Sequence, residues 1–183
     1  MKLFLVGYMG CGKSTTGRRV ARRLGVAYAD TDAMIEQREG ASVTDIFHYE
    51  GEEYFREVEL EVLAEIIEKE DDMIISTGGG LPTWSDNMEQ MNRAGVTVWI
   101  DRLAEQTAKR LSPYGRQKRP KLRGLSDEEL VEFMQRNMAE RRAFYSQAQH
   151  HIEVDTLSDY ELSDRVGEIF NEVKFNCELK IDN

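Results

Sequence analysis

Short apolar runs alternate with longer stretches of helical periodicity along the whole chain. Lys2 to Val6 reads as a buried strand, because its apolar residues are consecutive and a glycine-rich turn follows. Met73 to Ser76 and Val96 to Ile100 have the same character, and Val26 to Ala29 and Ile152 to Val154 give two shorter strand candidates. Between them, Lys13 to Leu24 places Val20, Ala21 and Leu24 at helical spacing and stops at Gly25. Ser42 to Asp45 has the form of a capping box and opens a helical region with Phe55, Val58, Val62, Ile66 and Ile67 on one face. Further helices are predicted from Leu103 to Leu111, from Ser126 to Tyr145 and from Leu157 to Phe175, with residues 176–183 as a poorly ordered tail.

Strand and helix in strict alternation predict an α/β fold, a parallel sheet sandwiched between two layers of helices. No repeat or Pro/Gly/Ser-rich linker interrupts the pattern, so residues 1–175 are expected to form a single domain. In open sheets of this kind ligands bind beyond the carboxyl ends of the strands. The residues that follow each strand are therefore the ones to read for chemistry.

The first of them are Gly7-Tyr8-Met9-Gly10-Cys11-Gly12-Lys13-Ser14, which fit the P-loop pattern G-x-x-x-x-G-K-[ST]. Glycines let successive N–H groups turn inward around phosphate oxygens, and the helix that begins at Lys13 adds its positive end. Lys13 would reach the β- and γ-phosphates and Ser14 would offer a hydroxyl to magnesium. A dinucleotide reading fails, since Gly10-x-Gly12-x-x-Thr15 lacks the third glycine of that fingerprint. Magnesium on a nucleotide calls for a carboxylate, and Asp30, Asp32 and Asp101 all stand at strand ends. The spacing does not choose among them.

Charge narrows the partners. A net charge of -10 argues against a general nucleic-acid binder, which needs basic surface. Yet Lys109, Arg110, Arg116, Lys118, Arg119, Lys121 and Arg123 form a basic island without an acidic residue, the mark of either a local anionic ligand or a solvated loop. No apolar run approaches the ~20 residues of a membrane helix, and no signal peptide is expected, which makes the cytoplasm the expected location. Cys11 and Cys177 cannot build a disulfide framework, and His48, His150 and His151 do not have metal-ligand spacing. A monomer is the default expectation.

Taken in order, the P-loop, Asp30-Thr31-Asp32, Phe55-Arg56, Gly78-Gly79-Gly80, Arg119-Pro120 and Arg141 four residues before Tyr145 resemble the shikimate kinase family over nearly the whole chain. The resemblance implies a five-stranded parallel sheet of the nucleoside-monophosphate-kinase type, with a substrate-binding region at about 33–61 and a mobile lid at about 112–124. It implies transfer of the ATP γ-phosphate to the 3-hydroxyl of shikimate, a step of aromatic amino-acid biosynthesis, with Mg2+ as cofactor. By the same resemblance Gly10, Cys11, Gly12, Lys13, Ser14, Thr15, Arg110 and Arg119 bind ATP. Ser14 and Asp30 support magnesium, which breaks the tie with Asp101 and Asp32. Asp32 orients the attacking hydroxyl, Arg56 and Arg141 grip the substrate carboxylate, and Gly78 to Gly80 present bare backbone to the acceptor. Lys13, Asp32 and Arg119 are the expected catalytic set. Taken alone, Arg56 and Arg141 would read as surface ion pairs, and the three glycines as a plain turn.

The chain departs from the family pattern at three places. Ala143 stands where proline is usual, Lys121 stands where leucine is common, and Cys11 occupies a small residue's place in the phosphate loop. The closest rival readings are a kinase of another small acid such as gluconate, a nucleoside monophosphate kinase, and a regulatory module that binds nucleotide without turning it over.

Overall fold

The structure, a computed structural model, describes residues 1–117 and 119–181; Lys118 of the basic island and Asp182 and Asn183 of the expected tail lie outside them. Five strands, β1 (Lys2–Val6), β2 (Ala27–Asp30), β3 (Met73–Ser76), β4 (Val96–Asp101) and β5 (His150–Glu153), form one sheet in the order β2-β3-β1-β4-β5. Every pairing is parallel. The helices are α1 (Lys13–Leu24), α2 (Thr31–Glu39), α3 (Val43–Tyr49), α4 (Gly51–Glu68), α5 (Asn87–Ala94), α6 (Ala104–Arg110), α7 (Pro113–Gln117), α8 (Asp127–Tyr145) and α9 (Asp159–Ile181).

Period-two alternation divides the core into two layers. Phe4 and Val6 of β1 point to one side with Ile75, Trp99 and the α4 residues Phe55, Val58, Val62 and Ile66. Leu3 and Leu5 point to the other with Ile74, Val98 and Ile100, under Val20 and Ala21 of α1 and Val166, Ile169 and Phe170 of α9. The expected three-layer α/β sandwich is therefore the observed one, and β1 lies at its centre with every side chain buried. Helix α1 seats closely on the sheet at Gly17, where a Cβ would fall 2.8 Å from Ser76 Oγ. That contact fixes the helix that carries Lys13 and Ser14 against the strand ends.

Several elements differ from the sequence reading. The helical region after Ser42 is two helices, because Gly51 at φ +89 breaks the chain direction before α4. A separate helix, α2, precedes them, capped by the Asp30 side chain on the backbone N–H of Ala33. Helix α5 went unread because its polar sequence NMEQMNRA buries only Asn87, Met88 and Met91. The last helix does not stop at Phe175. Residues 176–181 hold no glycine or proline to end it, and α9 continues to Ile181. The basic stretch is not a plain loop, since α7 and a 3-10 turn at Pro120–Leu122 occupy it. Leu122 is buried in the core while Lys121 is exposed, so the leucine expected at 121 is supplied one residue later. Helix α8 runs unbroken past Ala143.

Candidate active site

The site lies at the carboxyl ends of β1, β2, β3 and β4. Gly12, at φ +116, adopts backbone that side chains strain to take, and it caps α1 so that the first N–H groups of the helix face the strand ends. Lys13 is buried, and its ammonium donates to the Gly7 carbonyl at 2.8 Å and the Tyr8 carbonyl at 2.9 Å. The loop thus carries its cation folded inside it. Ser14 Oγ donates to Asp30 Oδ2 at 2.7 Å, and the Tyr28 hydroxyl reaches the same oxygen at 3.2 Å. Asp101 is engaged elsewhere, 3.5 Å from Arg142 and 3.1 Å from His151. Of the three strand-end carboxylates, Asp30 is the one beside Ser14. Thr15 is exposed on the first turn of α1, and Cys11 is fully buried with its Sγ 3.8 Å from Lys13 Nζ. Burial of the thiol removes the accessibility that reaction with oxidants would need.

On the β4 side, Arg110 forks onto Asp159 with contacts of 2.9 and 3.1 Å. Its guanidinium borders the phosphate loop, 3.8 Å from where a Cβ on Gly12 would stand. Asp159 also takes a bond from Arg102, whose Nε donates to the Cys11 carbonyl at 3.0 Å. Arg102 is buried beneath the loop, and loss of water together with the nearby Arg110 charge lowers its pKa. Arg119 donates to the Gly115 carbonyl at 2.6 Å, and its positive charge acts to lower the pKa values of both Asp32 and Tyr8.

Asp32 from α2, Arg56 from α4 and Arg141 from α8 converge on the segment Gly78 to Gly80 that follows β3. A Cβ on Gly78 would fall 2.4 Å from Asp32 Oδ1 and 3.0 Å from Glu59 Oε1, and one on Gly80 would fall 2.6 Å from Arg56 Nη1. Only bare backbone fits between these groups. The Gly78 N–H donates to Thr31 Oγ1 at 2.8 Å, and the Gly79 carbonyl accepts from Arg141 at 3.2 Å. Arg141 also lies over the Tyr8 ring, 5.5 Å from its centroid. Arg56 is buried, donates to Glu59 at 2.5 Å and Glu52 at 3.1 Å, and keeps an Nε that finds no partner among the described residues. The half-exposed Trp84 stands 5.7 Å from the same guanidinium.

The electrostatics of this half are strained. Burial, reinforced by the Asp30 charge, pushes the Asp32 carboxyl up to about 6, against the pull of Lys13 and Arg119. Burial pushes Glu59 up to about 7 despite its Arg56 partner. Tyr8 carries a buried hydroxyl that finds no partner among the described residues, and burial raises its pKa to about 12.

Glu59, Arg102 and Asp159 were missed by sequence reasoning, which named Tyr145 only as a landmark four residues after Arg141. Glu59 had a signal: it falls on the same helical stripe as Phe55, Val62 and Ile66, and a carboxylate inside an apolar stripe needs a cation. Arg102 and Asp159 are 57 residues apart and had none.

A family profile described as shikimate kinase matches residues 9–173. A protein of Bacteroides thetaiotaomicron named shikimate kinase is 43% identical over 159 residues, covering 87% of this chain and 90% of that protein. The crystal structure of a shikimate kinase from Bacteroides thetaiotaomicron superposes with a TM-score of 0.84 at 38% identity, covering 95% of this chain and 98% of that one. A shikimate kinase from Acinetobacter baumannii in complex with shikimate gives 0.82 at 30% identity, covering 94% of each chain.

Proposed function

The chain belongs to the shikimate kinase family, and we propose that it transfers the γ-phosphate of ATP to the 3-hydroxyl of shikimate, giving shikimate 3-phosphate and ADP. The observation that carries this reading is the convergence of Asp32, Arg56 and Arg141 on Gly78 to Gly80, beside a complete phosphate loop. Two guanidinium groups across a glycine-walled space suit a carboxylate, which arginine binds bidentately. A carboxylate near them suits ring hydroxyls.

In this mechanism the helix α1 amides and Lys13 hold the β- and γ-phosphates, with Lys13 leaving the loop carbonyls for phosphate oxygens. Arg56 and Arg141 fix the acceptor by its carboxylate, so that the attacking hydroxyl lies in line with the γ-phosphorus. Asp32 orients that hydroxyl and takes its proton. A carboxyl raised to about 6 is a stronger base than an ordinary one and is still ionised at neutral pH. Arg119, closing from the basic segment, meets the charge on the transferring group, and Arg110 lies toward the adenine. Closure excludes water, which would otherwise take the phosphoryl group.

Ser14 and Asp30 present a hydroxyl and a carboxylate 2.7 Å apart, a hard oxygen pair of the kind Mg2+ takes, and these two residues would hold it. Such an ion would supply charge neutralisation for the phosphates. The partners of the chain in this reading are two small molecules, with the monomer as the working unit and the cytoplasm as its place. No helix among the described residues is long and apolar enough to cross a membrane.

The test is ATP consumption by the purified protein with magnesium, with and without shikimate. Strong stimulation by shikimate, with gluconate and nucleoside monophosphates inert, is expected. Stimulation by one of those acceptors instead would overturn the acceptor while leaving phosphoryl transfer in place. Tight ATP binding without turnover on any acceptor would mark a regulatory module.

A further inference from the structure

Arg141 and Tyr145 stand one turn apart on α8, so both side chains meet the segment after β3. The Tyr145 hydroxyl donates to the Gly79 carbonyl at 2.7 Å, shorter than the 3.2 Å bond from Arg141 to the same oxygen. Tyr145 is 2% exposed, and its ring packs toward Trp99 with centroids 6.0 Å apart. Burial raises its pKa to about 12, so the hydroxyl keeps its proton at neutral pH. Gly79 lies at the seam between the two halves of the site: a Cβ there would be 3.4 Å from the Met9 N and 3.6 Å from the Gly7 carbonyl of the phosphate loop. Whatever holds the Gly79 carbonyl therefore sets the distance between the acceptor segment and the phosphates.

We propose that Tyr145 is a positioning residue for phosphoryl transfer, keeping the Gly79 carbonyl in place when Arg141 turns its guanidinium to the acceptor carboxylate. The inference rests on the reading of Arg141 as a carboxylate-binding arginine. An arginine that serves the substrate cannot also be the fixed anchor of the substrate's own wall, and Tyr145 supplies the second donor. Misplacement of reacting groups by a fraction of an ångström lowers the rate of the chemical step more than it weakens binding of either substrate.

The test is a double-mutant cycle of Tyr145→Phe and Arg141→Lys, reading kcat, the KM for shikimate, the KM for ATP and Tm. Tyr145→Phe should lower kcat by about tenfold, with the KM for ATP changed less than about twofold and Tm little moved. The double variant should lose a different factor in kcat/KM from the product of the two single losses, because both side chains act on one oxygen. A Tyr145→Phe enzyme with unchanged kcat, or one whose loss follows a lowered Tm and a raised KM for both substrates, overturns the inference. If Arg141→Lys leaves the KM for shikimate unchanged, the reading beneath it falls and takes the inference with it. If Arg141→Lys is impaired while Tyr145→Phe is silent, only the inference falls.

Discussion

The two halves of the site are built in opposite ways. The phosphate half of the proposed site is local: Gly7 to Ser14 are consecutive, and in that proposal they act through backbone N–H groups, a helix end and one lysine. The acceptor half is assembled from α2, α4, the segment after β3 and α8, and it works through side-chain charge held out of water. Backbone amides do not titrate, whereas Asp32 and Glu59 have carboxyls raised to about 6 and about 7. The first half should thus be indifferent to moderate pH change and the second sensitive to it.

The largest effect that tests this division is in the phosphate half. Lys13→Ala should reduce kcat by on the order of 10³-fold or more, with shikimate binding, measured by calorimetry, nearly unchanged. Loss of shikimate binding in that variant would show the halves to be one unit. Next comes Glu59→Ala. It removes the buried one of the two carboxylates that Arg56 bonds and leaves only Glu52, at a cost of about 1.5–3 kcal/mol to stability or to the bound pose. The KM for shikimate should rise by well over tenfold while ATP affinity holds, and an equal loss of both would break the comparison.

Third, Asp32→Asn should raise stability at pH 8 by up to ~3 kcal/mol while removing turnover. The sign follows from the raised pKa. Folded protein binds this proton more tightly than the unfolded chain, so stability from this group is fullest at low pH and declines as pH rises from about 4 through about 6. The gain in the variant should therefore vanish toward pH 4, which denaturant melts at two pH values would check. In the wild type, kcat/KM should fall below about pH 6 as Asp32 of the free enzyme takes up its proton. The smallest effect is expected from Tyr8→Phe, which removes a buried hydroxyl that has no partner among the described residues. Stability should change by no more than about 1 kcal/mol, and upward if at all.

The same division governs what the amino-acid sequence could tell. The bounds of β1 and α1 were legible to the residue, because glycine spacing and helix signals are short-range. The layered parallel sheet followed from the order of apolar runs. The acceptor half was legible only through resemblance: taken alone, Arg56 reads as a surface ion pair, and nothing near it announces that Gly80 leaves room for its guanidinium. The Asp159 anchor for Arg110 and Arg102 joins segments about 50 residues apart, a distance that periodicity does not reach. Helix α5 was hidden by its polar sequence, and Gly51 was read through as though the helical face continued. Local geometry writes itself into spacing; buried charge partners do not.

The two tryptophans inherit this division in a form that light can read. Trp84 is 42% exposed and stands 5.7 Å from Arg56, whereas Trp99 is 5% exposed with His151 stacked on it at 4.1 Å. The chain therefore carries two indole fluorophores in contrasting surroundings, one wet and beside the Arg56 guanidinium, one dry within the sheet. Emission at the red edge reports mainly the first, so an acceptor carboxylate bound at Arg56 as proposed should shift it without any label being attached.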